Sequence, residues 1–186
     1  MKSVLNVMVT GILAVLLLIP VSGVQTANAA SAREIDIKAN AALERFRNEV
    51  GGGAKFLDSA EGVLVFPEVL KAGFVVGGEY GEGVLRIGGT SVDYYSTAAA
   101  SIGFQLGAQS KMVFLVFLEK SALDSFRASE GWKAGVDGSV AVVEFGAGTD
   151  VTTLSVRDPI VGFVLGNKGL MFNLTLEGSK YTRIKK

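Results

Sequence analysis

Apolar residues recur at steps of three or four between Ser31 and Val50, and charged side chains take many of the positions between them. This spacing predicts an amphipathic helix over residues 31–50, which the three glycines at positions 51–53 end. Acidic and basic side chains are interleaved on its polar face, whereas a helix that inserts into a membrane is typically basic there. We therefore expect the helix to pack its apolar stripe onto the rest of the domain.

From Ala54 onward the period of the pattern changes to two, and glycines separate short apolar runs. Such runs, bounded by turn residues, predict β-strands. Turns are predicted at residues 81–83 and 88–89, and a hairpin connection at 166–169. The predicted strands are residues 62–67, 72–80, 83–87, 102–109, 112–118, 132–145, 151–156, 160–165 and 170–176.

Ser121 and Asp124 have the spacing of a capping box, which predicts a second, short helix through about Ser129. The predicted fold class is α+β, mainly antiparallel β. Its glycine-rich sheet is expected to fold or close around the N-terminal amphipathic helix, with this one further short helix.

Residues 102–109 have an unusual strand pattern, because large apolar residues on one face alternate with glycine and glutamine on the other. Glycine at alternate positions weakens a strand unless a backbone, a bulky side chain or a ligand approaches closely. Two interpretations stay open: another element packs against the glycine face, or the face is a ligand surface.

The chain begins with a pattern typical of export. Lys2 is followed by an apolar run over residues 4–21 and by the small-residue sequence Ala27-Asn28-Ala29. This order predicts a secretory signal peptide over residues 1–29, cleaved after Ala29 or one residue later. An uncleaved anchor helix is the alternative, because the apolar run is near the shortest that spans a bilayer. We expect one domain over residues 30–186, in the periplasm or cell envelope of a bacterium.

Charge balance and missing residue types narrow the function. The 18 lysines and arginines equal the 18 aspartates and glutamates in number, so we expect no nucleic-acid partner. Histidine and cysteine are absent, which removes the commonest general base and all thiol chemistry. Glu79, Glu82, Asp137, Glu144 and Asp150 remain as possible catalytic carboxylates, but no spacing identifies a pair. We expect neither an enzyme nor a metal site nor a cofactor.

Several sequence blocks occur in an order that suggests a family. They are residues 60–67 (AEGVLVFP), 71–84 (KAGFVVGGEYGEGV), 101–110 (SIGFQLGAQS), 131–142, 147–151 (AGTDV) and 169–179. Together they resemble the SYLF domain, also called the Ysc84 actin-binding family, over essentially all of the chain from Ala39 to Ile184. Eukaryotic members bind phosphoinositides and some bind actin, and bacterial members are exported, so the resemblance implies a lipid-binding module.

Actin is not available to an exported bacterial protein, and we do not expect it as a partner. The part of the resemblance that transfers is affinity for phospholipid or a membrane surface. Basic residues at predicted strand ends can form charge-assisted hydrogen bonds with a head group, and aromatic residues suit a lipid interface. The candidate lipid-binding residues are Lys71, Tyr80, Arg86, Lys111 and Trp132, with Tyr94 and Tyr95 as further aromatic candidates.

The expected function is therefore that of an exported, non-catalytic phospholipid-binding domain. The alternative is a protein-protein interaction module without a lipid ligand. The glycine-rich strand face suggests this alternative, as do long apolar strands that could present a sheet edge to a partner.

Overall fold

The computed structural model describes residues 30–73, 76–102, 109–142, 158–166, 169–170 and 176–186. Three helices are present in this part of the chain: α1 (Ala32–Glu49), α2 (Gly53–Asp58) and α3 (Lys120–Ala128). The strands are β1 (Gly62–Gly73), β2 (Val76–Ile87), β3 (Thr90–Ile102), β4 (Gln109–Phe117), β5 (Gly131–Lys133), β6 (Ala141–Val142), β7 (Ile160–Gly166), β8 (Gly169–Leu170) and β9 (Lys180–Ile184).

All nine strands belong to one sheet, in the order β5-β9-β3-β2-β1-β4-β7-β6, with β8 paired to β7. The pairing of β6 with β7 is parallel. The other pairings between these strands are antiparallel, including that of β3 with the last strand, β9. The sheet curls into a half-barrel. This architecture, with an N-terminal helix and short further helices, confirms the predicted fold class.

Helix α1 covers one face of the sheet, which we call the α1 face. The helix begins where the Ser31 hydroxyl accepts a hydrogen bond from the backbone N–H of Glu34, as an N-cap does. Its apolar stripe is buried against the sheet, and Phe46 contacts the rings of Phe114 and Phe163, each with its centroid 4.9 Å away. The predicted amphipathic helix is thus confirmed, and its apolar stripe faces protein.

The opposite face, the α3 face, carries a second apolar core. Phe126 of α3 is fully buried there, with its ring 5.0 Å from those of Tyr95 and Phe117. Trp132 of β5 and Tyr181 of β9 complete this aromatic cluster. Because both faces of the central strands are covered, these strands are apolar along nearly continuous runs.

Strand β1 does not end at Pro67, as the sequence suggested. Its pairing shifts register between Val65 and Glu68, which marks a β-bulge, and the strand continues to Gly73. A bulge is one of the few places where a strand accepts proline, because the missing N–H is not needed there.

The predicted turn at residues 81–83 was wrong, because β2 runs unbroken through it. A Cβ at Gly83 would lie 2.6 Å from the Phe66 ring and still closer to the carbonyl oxygen of Val65. Gly81 is equally constrained by the backbone of Glu68 and the side chain of Val69. These glycines thus permit close packing of β1 side chains over β2. The turn predicted at Gly88 and Gly89 is confirmed by their positive φ angles of 55° and 80°.

The capping box predicted for the second helix was also wrong. Helix α3 has Glu119 at its N-cap, and the Ser121 hydroxyl donates to the Glu119 carboxylate instead of capping the helix. Helix α2 and strand β9 were not predicted. Most of the glycine-rich segment 102–109 and the predicted strand at 151–156 lie outside the described residues.

In the ranges that the structure describes, none of the helices combines the length and the apolar character needed to cross a bilayer.

Two alanine substitutions in β2 test the role of its glycines. Gly83→Ala should lower the free energy of unfolding by about 1–3 kcal/mol, because the added methyl group overlaps Val65 and Phe66. Gly78→Ala is the matched control on the same strand, since its Cβ would meet only the carbonyl oxygen of Ala99 at 3.8 Å. It should change stability by less than about 0.5 kcal/mol. Urea unfolding measures both, and equal losses would contradict the packing account.

Candidate functional site

Three charged side chains meet on the α3 face, where β2, β1 and β4 run side by side. Lys71 of β1 pairs in register with Glu79 of β2, and Lys111 of β4 pairs with Val69 of β1. Lys111 Nζ lies 2.6 Å from Glu79 Oε2, and Lys71 Nζ lies 3.9 Å from Oε1 of the same carboxylate. We call this group the Lys71-Glu79-Lys111 cluster. It brings together two of the residues that the sequence predicted as lipid-binding.

The cluster contains two ammonium groups and one carboxylate, so its net charge is +1. Glu79 forms its close ion pair with Lys111, whose side chain is only 10% exposed. Lys71 is farther from the carboxylate and is 31% exposed, so its ammonium group is both accessible and only partly compensated. Partial burial weakens screening by water, which strengthens the attraction of this ammonium for an added anion.

Hydroxyl groups lie on the same face, toward β3 and β9. Thr97 pairs with Gly81 on one side and with Tyr181 on the other, and all three are buried. Burial raises the pKa of Tyr181 well above its usual range, and the negative charge of Glu79 acts in the same direction. The nearby hydroxyls of Ser179 and Thr97 only partly offset this shift. The phenol therefore stays protonated at neutral pH, and its buried hydroxyl has no hydrogen-bond partner among the described residues.

Tyr80 lies on the other side of the sheet, away from the cluster. Its side chain is 53% exposed, and its hydroxyl donates a 3.0 Å hydrogen bond to Glu82. Burial raises the pKa of Tyr80, and the hydrogen bond to Glu82 adds to the shift. The ring borders a groove of about 460 Å³ between the start of α1 and strands β1 and β2. This exposed aromatic position is separate from the two lysines.

Arg86 is engaged in holding α1 to the sheet. Its guanidinium donates to Asn40 at 3.0 Å and forms an ion pair with Asp36 at 3.3 Å, both on α1. Tyr94 also donates to Asp36, at 3.0 Å. These contacts assign Arg86 and Tyr94 a structural role and place them at the opposite end of β1 from Lys71.

Trp132 does not lie at a surface, so its prediction as an interface residue was wrong. The side chain is 3% exposed, and its ring packs against Phe126 and Tyr181. Tyr95 is buried in the same core, with its hydroxyl accepting from Arg183. Trp132 and Tyr95 thus act as large apolar side chains that fill the core on the α3 face.

The carboxylates considered for catalysis do not converge within the part of the chain that the structure describes. Glu79 and Glu82 neighbour each other along β2 but point to opposite faces, and Asp137 accepts a hydrogen bond from the backbone of Lys133 in a turn. Glu144 and Asp150 lie outside the described residues. Within those residues, no three acidic side chains are grouped as metal ligands.

Sequence reasoning missed the polar groups that accompany the two lysines. Glu79 was considered only as an acid, and Thr97, Ser179 and Tyr181 were not considered. The antiparallel register of β1 and β2 pairs Gly73 with Gly77 and thereby sets Lys71 opposite Glu79. The alternation of Tyr181 between Lys180 and Thr182 was the available signal for β9.

Residues 98–186 match the family model described as Ysc84, Las17-binding protein actin regulator. The matched part begins within β3 and includes Lys111 and Tyr181. The sequence blocks at 60–67 and 71–84, which also suggested this family, precede it. No curated protein matches the chain.

The burial of Trp132 gives a direct optical test, because it is the chain's single tryptophan. We expect emission at shorter wavelength than that of tryptophan in water and weak quenching by iodide, since the ring is shielded by Phe126 and Tyr181. Adding lipid vesicles should leave the emission spectrum unchanged. A blue shift on vesicle addition in the folded protein would show that Trp132 contacts lipid and would contradict its place in the core.

Proposed function

Because residues 98–186 belong to the Ysc84 family, also known as the SYLF domain, we propose that this protein is an exported, non-catalytic domain that binds phospholipid head groups. The proposed contact is the Lys71-Glu79-Lys111 cluster. The observation that carries the proposal is the convergence of two ammonium groups on one carboxylate in a partly buried position.

The two lysines have different roles in this proposal. Lys111 stays paired with Glu79, which holds both side chains on the α3 face. Lys71 is the more exposed ammonium and meets the phosphate of the head group in a charge-assisted hydrogen bond. The remaining excess charge of the cluster is thereby neutralised, which favours an anionic lipid over a zwitterionic one.

The sequence of residues 1–29 supports export, and an exported domain would meet the phospholipids of the cell envelope. We propose a periplasmic or envelope-associated location, with phospholipid or a membrane surface as the partner. Actin and nucleic acid are not part of the proposal. The family's description names an actin regulator, but export would separate this chain from actin.

The alternative, a protein-interaction module, was suggested by the glycine-rich strand face, most of which lies outside the described residues, and by long apolar strands that could present an edge. Among the described strands, β1 and β4 lie in the middle of the sheet and are paired on both sides. Within the described residues, the strand order ends at β5 and β6, which contain three and two residues there. Such short edges offer little backbone for strand addition, so we favour the lipid proposal.

Opposite charge changes within the cluster test the proposal. With vesicles of phosphatidylglycerol, Lys71→Gln should weaken binding about fivefold, as expected for loss of about one lysine contact at an anionic surface. Glu79→Gln should strengthen binding, because it leaves both ammonium groups uncompensated. Vesicle flotation at low salt measures both effects, and raising the ionic strength should reduce them.

Lys120→Gln is the matched control. It removes the same charge from an exposed lysine that pairs with Asp124 on α3, beyond the opposite end of β4 from Lys111. Binding by this variant should equal that of the wild type, and circular dichroism should show that all three variants are folded. Equal losses in Lys71→Gln and Lys120→Gln, or equal binding to phosphatidylcholine vesicles, would contradict a specific head-group site.

A further inference from the structure

Glu82 of β2 receives three hydrogen bonds on the α1 face. Its Oε2 accepts from the backbone nitrogen of Ala30 at 3.1 Å and from Lys186 Nζ at 2.7 Å, while Oε1 accepts from the Tyr80 hydroxyl at 3.0 Å. Lys186 Nζ also donates to the carbonyl oxygen of Ala30 at 2.8 Å. Both backbone polar groups of Ala30 are therefore held in place next to a carboxylate that is 11% exposed.

Ala30 is also the residue at which the sequence pattern places the new chain start. Cleavage after Ala29 converts the nitrogen of Ala30 from an amide into an α-ammonium group, with the geometry to reach Glu82 already present. We propose that signal removal takes place between Ala29 and Ala30 and that the new α-ammonium group forms an ion pair with Glu82. Removal of the signal then adds an ion pair between the start of α1 and β2.

The charges around the groove favour a cation at this position. Three carboxylates, those of Glu34, Glu68 and Glu82, lie along the groove, and Lys38 and Lys186 are the two ammonium groups that pair with them. An α-ammonium group at Ala30 supplies the one positive charge that balances this set. The positive end of the α1 dipole disfavours a cation at Ala30, and the adjacent Glu82 carboxylate offsets this effect.

Glu82 is ionised at neutral pH and can take part in this pair. Burial by itself would raise the pKa of Glu82, but the hydrogen bonds from Lys186, Tyr80 and Ala30 outweigh it and hold the pKa below its usual range.

The contacts of the folded domain also match one of the two cleavage positions that the sequence allows better than the other. Cleavage after Ala30 would remove the nitrogen that donates to Glu82 and the carbonyl oxygen that accepts from Lys186. It would also place the new charge on Ser31, whose hydroxyl caps α1. Cleavage after Ala29 preserves all of these contacts.

This inference rests on the proposed export, and its first test is the mass of the mature protein. The full 186-residue chain is produced in a bacterium with its own signal, and the protein is purified from the envelope fraction. We expect an intact mass for a chain that begins at Ala30. A chain that begins at Ser31, or one that keeps its signal, overturns the inference.

A thermodynamic cycle tests the ion pair itself. One alanine inserted between Ala29 and Ala30 leaves the Ala30 amide in place after cleavage but moves the α-ammonium group away from Glu82. We expect this extension to lower Tm by about 2–4 °C, the size of a single charged contact in a domain of this length. In a Glu82→Gln background the same extension should leave Tm unchanged.

Glu68→Gln is the matched control, because Glu68 borders the same groove and pairs with Lys38 rather than with Ala30. The extension should lower Tm as much in this background as in the wild type. An equal effect of the extension in the Glu82→Gln and Glu68→Gln backgrounds overturns the ion pair. Failure of the lipid proposal is distinguishable, because it appears in vesicle binding and leaves both the mass and the cycle unaffected.

Discussion

The central strands β1, β4 and β7 are apolar on both faces, and most of the structure serves to cover those two faces. Helix α1 covers one of them through Phe46, which packs between Phe114 and Phe163. The other is covered by α3 and by the sheet's own end strands, through Phe126, Trp132 and Tyr181. In β1 and β4 the charged side chains, those of Glu68, Lys71 and Lys111, lie outside the fully buried runs at 63–66 and 113–117. Glu79 and Glu82, around which the two proposed contact regions form, lie on β2 opposite Lys71 and Glu68.

Elements with a regular pattern in the sequence were predictable, because their periodicity reflects one buried stripe or two buried faces. Helix α1 and strands β4 and β7 belong to this class. Elements whose residues are determined by contacts with a part of the chain far away in sequence were not predictable. Gly81 and Gly83 have the composition of a turn, yet they lie within β2 because Val69 and Phe66 pack across them. The alternation of Tyr181 with charged and polar residues in β9 is a signal only five residues long, and the pairing of this strand with β3 and β5 identifies it.

The types of residue in the candidate site could be predicted from the sequence, but which of them lie together could not. Lys71, Lys111 and Arg86 are each basic residues near strand ends, and the sequence gives no means to rank them. The register places Lys71 and Lys111 around Glu79, whereas Arg86 meets Asp36 and Asn40 of a helix about 50 residues earlier in the chain. Trp132 was misjudged for a related reason: an aromatic ring suits a lipid interface and a core equally well until its neighbours are known.

The matched family region is not a separate folding unit, because β4 lies between β7 and β1, and β3 lies between β9 and β2. Closing the sheet joins residues far apart in the chain: Tyr94 pairs with Ile184, 90 residues later. Pairings of such long range are slow to form, since loop-closure entropy is lost before the contacts stabilise the chain. The nascent polypeptide must therefore wait for its last strand before the sheet can close. If the chain is exported as proposed, that delay would keep it in the unfolded form that can be threaded across a membrane.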